Sequence, residues 1–477
     1  MLTRRQYLQL STLGVTGFTR AQVPQGARVT ISDDRPTVLM ADAATLAGNL
    51  RRWPAKSSAD RFHVSHWTLP GDSFTWKLNA ANAGEYSVVA LVRGSGAIVQ
   101  LASDRARTPP AAPVHSGWDR VELGALKLAQ GVQSLTLSST QPGSGLELYS
   151  LELATPKLTS RLAKQARAAR SDTTWMRKAK YGLQFHWTSQ SQPRSGPRKP
   201  YAEASRDFPA RAFAEVVHES GAGYVILTTS HAEYFFPAPI AAIDAIMPGR
   251  TARRDLIRDL IEELGRFGIR LMLYYHAGHD HWREPNGWWV RCGHDARNPE
   301  KFLANWCSII GEVGHRYGSG LAGWFFDDSR VYYPLNPEFR RLAIAAKAGN
   351  PSRVICYNPW IWPRCTDFQD YFCGEGYGFL KVRDNLPADG SGIFSNGPQR
   401  GLQAHTNFIL ESDWCHSKPE TAIPLPTIPK EAFISDVSSA IARGIVPSIN
   451  LEIYQDGGVG PASIEYLAAL KAALVTP

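Results

Sequence analysis

The sequence predicts an N-terminal β-sandwich domain (residues 24–155) followed by an α/β domain of the (β/α)8 TIM barrel type (residues 175–477). From Val29 to Ala154, short alternating runs such as Phe74–Leu78 are separated by Gly, Pro, Asn and Ser, which is typical of antiparallel strands. Beyond this region, apolar strands alternate with longer amphipathic helices, which indicates parallel βα units. With 477 residues, the chain is long enough for both domains.

Eight apolar runs in the second half predict the strands of the barrel. They are Tyr181–Trp187, Tyr224–Thr229, Arg270–His276, Leu321–Asp327, Val354–Asn358, Phe368–Cys373, Thr406–Leu410 and Ile445–Leu451. Helical patterns fit between most of them, for example from Lys301 through Arg316. Eight βα units in about 300 residues fit one barrel.

Two further segments flank the sandwich. Residues 1–21 carry the pair Arg4-Arg5 before a modestly apolar stretch, which resembles a twin-arginine export signal cleaved near Ala21 and predicts a periplasmic or secreted protein. Residues 156–174 are polar and rich in Lys and Arg, which predicts a linker helix. No segment holds about eighteen uninterrupted apolar residues, so we expect no membrane span.

Charge and cysteine spacing exclude some classes of function. The net charge of +9 is spread along the chain, which argues against a dedicated nucleic-acid surface. The six cysteines form no CxxC pair and show no zinc-like spacing, so we expect no metal. Export would permit disulfides among Cys356, Cys365 and Cys373, but the sequence leaves their connectivity and the oligomeric state open.

Polar residues at the strand ends predict where the active site lies, because a barrel of this type carries its site at the C-terminal ends of the strands. The residues that end the predicted strands include His186, Trp187, His231, His276, Asp327, Asn358, Trp360, Glu375 and Glu411. Imidazoles and carboxylates can bind sugar hydroxyls, and aromatic rings can cover apolar sugar faces. This rim therefore predicts an oligosaccharide or polysaccharide substrate.

Two carboxylates are candidates for the chemistry. Retaining glycoside hydrolysis needs a nucleophile and a general acid/base roughly 5–5.5 Å apart. We predict Asp327 as the nucleophile, because it directly ends a rigid strand, and Glu375 as the acid/base at the end of strand six. Asp328 replaces Asp327 if the register slips by one residue, and Glu411 is an alternative to Glu375.

The sandwich admits two interpretations. Its pattern resembles the sandwich modules attached to polysaccharide-degrading enzymes, in which exposed tryptophans bind glycan. Here the candidates are Trp53, Trp67 and Trp118. Alternatively these tryptophans belong to the core of a packing or spacer domain, because buried aromatic residues are common in sandwich cores.

Several motifs of the second half are shared with a known enzyme family. They are Lys180–Trp187, Phe208–Phe213, Ser220–His231, Arg254–Leu256, Gly268–Tyr275, Trp324–Asp328, Arg443–Asn450 and Asp456–Gly458. Together these motifs resemble those of glycoside hydrolase family 29, the α-L-fucosidases. The resemblance implies release of terminal α-L-fucose with retention and without a metal or organic cofactor. It places Asp327 at the nucleophile position and implies that His186, His231 and Tyr275 hold the sugar hydroxyls.

Two departures from the family pattern keep alternatives open. Where the family shows Lys-His-His-Asp-Gly-Phe, this chain has Ser230–Phe235 with a single histidine, and its sandwich precedes the barrel instead of following it. One alternative is an α-galactosidase-like or other α-glycosidase acting on a related or sulfated sugar. The other is a catalytically inactive carbohydrate-binding protein.

Overall fold

The structure is a computed structural model. It describes residues 28–52, 63–112, 117–141, 143–231, 233–276, 287–293, 300–327, 338–359, 364, 366–375, 386–387 and 389–475. The predicted export signal lies outside these residues.

The N-terminal domain is a sandwich of two sheets. Its strands are β1 (Arg28–Ile31), β2 (Thr37–Met40), β3 (Thr45–Ala47), β4 (Arg51–Arg52), β5 (Val64–Ser65), β6 (Ser73–Ala80), β7 (Gly84–Ser95), β8 (Ile98–Ser103), β9 (Asp119–Leu128), β10 (Gly131–Gln141) and β11 (Ser144–Ala154). One sheet has the order β1-β6-β10-β8 with β3 on β6, and the other has the order β4-β5-β11-β7-β9 with β2 on β11. Alternate residues of both sheets, such as Phe74, Leu135 and Leu148, form the shared core.

Two of the tryptophans considered for glycan binding are buried. Trp67 is 1% exposed and packs edge-on against Phe74 in the sandwich core. Trp118 is 6% exposed, and the guanidinium of Arg93 lies 4.9 Å from its ring centre. Neither indole can stack on a sugar in this conformation, so their placement agrees with the packing interpretation. Trp53 lies outside the described residues.

The second domain is the predicted barrel. Its strands are β12 (Gly182–Phe185), β13 (Tyr224–Ser230), β14 (Arg270–His276), β15 (Leu321–Asp327), β16 (Val354–Tyr357), β17 (Tyr371–Phe372), β18 (Gln403–Ile409) and β19 (Val446–Leu451). They form one parallel sheet in the order β16-β15-β14-β13-β12-β19-β18-β17. Each coincides with a predicted strand, and the fold class is confirmed.

Helices surround this sheet and connect it to the sandwich. They are α1 (Pro156–Ala168), α2 (Thr174–Lys178), α3 (Tyr201–Asp207), α4 (Ala210–Ser220), α5 (Ala241–Ile246), α6 (Leu256–Gly265), α7 (Trp288–Arg291), α8 (Glu300–Tyr317), α9 (Phe339–Ala346), α10 (Lys430–Ala442) and α11 (Pro461–Val475). In the described ranges, none is both long and apolar enough to cross a membrane.

Alternation along each strand separates two cores. Residues such as Met272, Tyr274 and Phe325 pack inside the barrel. Their sequence neighbours, such as Trp324 and Phe326, pack between the strands and the helices. Because successive side chains point to opposite sides of a strand, this register fixes which polar strand-end residues can face the mouth of the barrel.

The barrel has a seam between β16 and β17 that side chains close. The backbone N–H of Asp370 donates to the carbonyl of Ile355 at 2.8 Å, and the Asp370 carboxylate accepts the N–H of Ile355 at 2.8 Å. One residue earlier, the Gln369 side chain accepts the N–H of Tyr357 at 3.1 Å. These bonds replace a strand ladder and bring the ends of β16 and β17 together.

The linker helix α1 is part of the barrel wall. Its Ala166 packs in the outer core, and together with Ala343 and Phe368 it lines a small cavity behind the seam. Immediately after α1, the N–H of Ser171 donates to Asp370 at 2.6 Å, and Lys347 forms a 3.0 Å ion pair with the same carboxylate. Residues 156–174, predicted as a linker, therefore also take part in closing the seam between β16 and β17.

We predict that Asp370→Ala destabilises the protein strongly. The substitution leaves Lys347 without its buried partner and the N–H groups of Ile355 and Ser171 without an acceptor. Loss of one member of a buried ion pair costs about 3–5 kcal/mol of unfolding free energy. Urea denaturation followed by tryptophan fluorescence measures this loss. Arg211→Ala, which breaks an exposed pair with Glu215, is the control and is expected to change little. Equal effects of the two variants would contradict a structural role for the seam.

Candidate active site

Polar side chains converge at the C-terminal ends of the barrel strands. They lie within or directly after β12 to β17 and β19, and all but His231 continue the inward-facing alternation of their strands, whereas His231 follows a register shift in β13. They are His186, His231, Tyr274, His276, Asp327, Asn358, Glu375 and Asn450. This location agrees with the predicted position of the site, since barrels of this type place their chemistry at this end.

Asp327, the predicted nucleophile, lies at the end of β15 and its side chain is 14% exposed. The hydroxyl of Tyr274 and the side-chain amide of Asn358 donate to its two carboxylate oxygens. His276 Nε2 is 3.8 Å from the oxygen that Tyr274 contacts. The carboxylate is therefore held by donors on β14 and at the end of β16, a fixed geometry that suits in-line attack.

Glu375, the predicted acid/base, lies beside Asp327. Asn358 Nδ2 is 2.5 Å from Asp327 Oδ1 and 2.5 Å from Glu375 Oε2. Because one nitrogen contacts both oxygens, the distance between those oxygens cannot exceed twice this length. Retaining glycosidases hold their carboxyl groups roughly 5–5.5 Å apart, and inverting enzymes roughly 6.5–9.5 Å apart. The upper limit on this oxygen–oxygen distance lies below the separation in inverting enzymes and at the lower edge of the range for retaining enzymes.

His186 has a defined protonation state and tautomer. It is buried, and its Nδ1 is 3.0 Å from Asn450 Oδ1, while Asn450 Nδ2 donates to the carbonyl of Trp414. That second bond fixes the Asn450 amide, so His186 Nδ1 carries the proton and donates. Burial lowers the pKa of His186 to about 3, so Nε2 is unprotonated at neutral pH. Nε2 is then an acceptor for a hydroxyl donor.

The other two histidines form an aromatic cluster with Tyr274. The His231 ring lies 5.9 Å from His186 and 5.1 Å from His276, measured between ring centres. The Tyr234 hydroxyl is 3.4 Å from His276 Nδ1, and Trp288 stacks on the Tyr234 ring at 5.5 Å. Through Tyr234, the loop after β13 thus contacts His276, whose other ring nitrogen lies near Asp327.

Two residues predicted to bind substrate face away from the mouth. Trp187 is 1% exposed, donates from Nε1 to the carbonyl of Gln455, and packs against Phe208 in the outer core. Tyr275 packs against Trp324 beneath the helices. Their placement differs from the prediction because each neighbours an inward residue on its strand and so points to the opposite side.

Glu411, the alternative acid, has other partners. Its carboxylate accepts the hydroxyl of Ser463 in α11 and the N–H of Glu452 at 3.0 Å. Burial raises its pKa to about 7, and the hydrogen bonds oppose this rise. These bonds attach the loop after β18 to the last helix and to the end of β19. Asp328 and Trp360 lie outside the described residues.

Four residues at the site received no role from the sequence. Tyr274 and Asn358 contact Asp327, Asn450 orients His186, and the Trp414 ring lies 5.1 Å from the His186 ring. Strand parity could have identified Tyr274, because it shares the inward side with Met272. The roles of Asn450 and Trp414 depend on contacts of the residue after β12 with β19 and with the loop after β18, which are distant from it in sequence.

Comparison with known proteins finds a family match within this domain. Residues 200–378 match the sequence model of the family described as α-L-fucosidase, and the matched segment contains Asp327, Asn358 and Glu375. The predicted resemblance to α-L-fucosidases is confirmed over this segment, and it indicates a glycosidase, as predicted. His186 and the strands β18 and β19 of the barrel lie outside the matched segment.

The chain is also similar to several solved structures. An endo-fucoidan hydrolase of glycoside hydrolase family 107 has 14% identity and a TM-score of 0.48, covering 63% of this chain and 53% of that chain. An α-L-fucosidase from Lactobacillus casei has 16% identity and a TM-score of 0.43, covering 63% and 97%. A family 29 α-L-fucosidase from Bacteroides thetaiotaomicron has 15% identity and a TM-score of 0.44, covering 64% and 74%. No curated protein matches the sequence significantly.

We predict that Tyr274→Phe lowers activity and that Tyr275→Phe does not. The first removes a donor from Asp327, and loss of one such preorganised donor lowers kcat by roughly 10²–10³-fold. The second removes a hydroxyl in the outer core and should leave kcat and KM near the wild-type values. Steady-state kinetics on an aryl glycoside substrate distinguishes the two. A larger loss in Tyr275→Phe would instead favour the role inferred from sequence.

We predict that Glu411 makes stability fall as pH rises. The ordinary pKa of 4.5 is raised to about 7 in the folded protein. The folded state thus holds a proton that the unfolded state releases, so this contribution is complete below pH 4.5 and is lost through pH 7. The shift corresponds to roughly 3 kcal/mol. Urea denaturation at pH 4.5 and 7.5 should show a flatter pH dependence for Glu411→Gln than for the wild type. Identical pH dependence in both proteins would refute the assignment.

Proposed function

We propose that the barrel releases a terminal α-L-fucosyl residue with retention, with Asp327 as nucleophile and Glu375 as general acid/base. The observation that carries the proposal is the contact of one amide nitrogen with both carboxylates, which keeps two of their oxygens closer together than the carboxyl groups of inverting enzymes. The family match supports fucose as the sugar.

The proposed reaction has two steps. An Asp327 oxygen attacks the anomeric carbon, the bond to the leaving oxygen breaks, and Glu375 gives its proton to that oxygen. The product is a glycosyl ester on Asp327, and Glu375 is left as a carboxylate. Glu375 then takes a proton from water, the water oxygen attacks the anomeric carbon, and Asp327 is released as a carboxylate.

The surrounding residues support sugar binding. His186 Nε2 can accept a hydrogen bond from a sugar hydroxyl, because the Asn450 contact keeps the proton on Nδ1. The half-buried Trp414 packs beside His186 and can cover an apolar face of the ring. An acceptor and an aromatic face placed together fit a deoxysugar, which combines hydroxyl donors with an apolar edge.

Substitution of each carboxylate tests the assignment. Asp327→Ala should abolish hydrolysis of 4-nitrophenyl α-L-fucoside, and azide should restore turnover with the inverted β-fucosyl azide as product. Glu375→Gln should lose activity most on natural linkages, whose leaving groups need protonation, and azide should yield the α-fucosyl azide. The substrate panel includes the 4-nitrophenyl α-D-galactoside and sulfated fucosides, so that a related sugar preference is detected.

Glu411→Gln is the matched control, because it replaces a buried carboxylate outside the pair and should retain turnover. Loss of activity in Glu411→Gln together with normal activity in Glu375→Gln would transfer the acid/base role to Glu411. Wild-type protein that binds glycan but hydrolyses no glycoside in the panel would refute the enzymatic proposal.

A further inference from the structure

The side-chain amide of Asn358 lies between the two carboxylates of the site. Its nitrogen contacts Asp327 Oδ1 and Glu375 Oε2, and its oxygen accepts the thiol of Cys373 at 3.0 Å. Asn358 and Cys373 are both buried, and the backbone N–H of Asn358 donates to the carbonyl of Phe326 at 2.7 Å. One side chain at the end of β16 is thus bonded to residues at the ends of β15 and β17.

The thiol fixes which way the amide points. Burial, together with the nearby charges of Glu375 and Asp327, raises the pKa of Cys373 well above its usual range, so the thiol keeps its proton. A protonated thiol donates to the amide oxygen, which turns both N–H groups of Asn358 toward the carboxylates. The reversed amide would direct its carbonyl oxygen at two carboxylates.

We propose that Asn358 is a positioning residue that sets the separation of Asp327 and Glu375, and that Cys373 orients it. For its catalytic consequence the inference rests on the proposed function. In the first step, negative charge leaves Asp327 as the glycosyl ester forms and appears on Glu375 as its proton departs. Two N–H groups on one nitrogen stabilise the charge at both locations, so the donor does not move as the charge is transferred.

Cys356 provides a matched control for Cys373. Both thiols lie inside the barrel beside the seam, Cys356 on β16 and Cys373 directly after β17, and both are completely buried. The side-chain partner of Cys356 is Tyr371, whereas that of Cys373 is Asn358. A general effect of removing a buried thiol should therefore appear equally in Cys356→Ala and Cys373→Ala.

The test compares Asn358→Ala, Cys373→Ala, Cys373→Ser and Cys356→Ala in the full-length protein. On an aryl α-L-fucoside, Asn358→Ala should lower kcat by roughly 10²–10³-fold with a small change in KM. Both limbs of its pH–rate profile should move to higher pH, because carboxylates without the N–H donors hold protons more tightly. Cys373→Ala should lower kcat about tenfold, as expected for one hydrogen bond. Cys373→Ser keeps a donor and should recover most of that loss, and Cys356→Ala should match the wild type.

Crystal structures of the same variants separate this inference from the proposed function. The Asp327–Glu375 separation should widen in Asn358→Ala, and the amide should rotate in Cys373→Ala but not in Cys373→Ser. An unchanged separation, or kinetics of Asn358→Ala that match the wild type, would overturn the positioning role. Absence of wild-type activity on every fucoside would overturn the proposed function, and the structures would still decide whether Asn358 sets the separation.

Discussion

The carboxylate of Asp370 holds the barrel together where no strand ladder does. It accepts the N–H groups of Ile355 and Ser171 and pairs with Lys347, so one buried side chain joins β16, the end of α1 and α9. Burial raises the pKa of Asp370 and so disfavours its charged form. The two N–H donors and Lys347 oppose this effect and stabilise the carboxylate. Such a group is costly to bury without its partners, so the segment before the barrel and the seam must form together.

The geometry of the site follows from this closure. Asn358 ends β16 and Glu375 follows β17, so the two strands that carry them are the ones that border the seam. Asn358 is also tied to β15 through the carbonyl of Phe326, whereas β17 has a strand ladder with β18. The position of Glu375 relative to Asp327 thus depends on the bonds across the seam. The sandwich is joined to the barrel by α1, and Ser171, just after this helix, bonds to Asp370 at the seam.

Most strand positions were predictable from the sequence because most barrel strands are apolar runs, whereas β18 carries Gln403, His405 and Asn407 within the strand. The seam was not, since Asp370 lies within a run predicted as strand, yet its carboxylate and not its backbone carbonyl accepts the N–H of Ile355. Alternation along β14 could have distinguished Tyr274 from Tyr275, whereas the family resemblance pointed to Tyr275. Asn358 was recognisable as a strand end, but its bridging role depends on three strands meeting in space.

A chain of hydrogen-bonded polar side chains lies inside the barrel and leads to the backbone of Cys373. His405 Nδ1 lies 2.7 Å from the carbonyl of Cys373, which can only accept, so Nδ1 carries the proton. Burial lowers the pKa of His405 to about 4, so at neutral pH Nε2 is an acceptor, and the hydroxyl of Ser448 must donate to it at 2.7 Å. The hydroxyl of Tyr224 lies 2.8 Å from Ser448 Oγ and 3.0 Å from the carbonyl of Pro447, to which it can also donate. The Tyr224 ring passes over Gly182, where an added Cβ would lie 2.2 Å from a ring carbon, and this explains the glycine in the first-strand motif. The donor directions are therefore determined from Ser448 through His405 to the backbone of Cys373, whose thiol orients the amide between the two carboxylates.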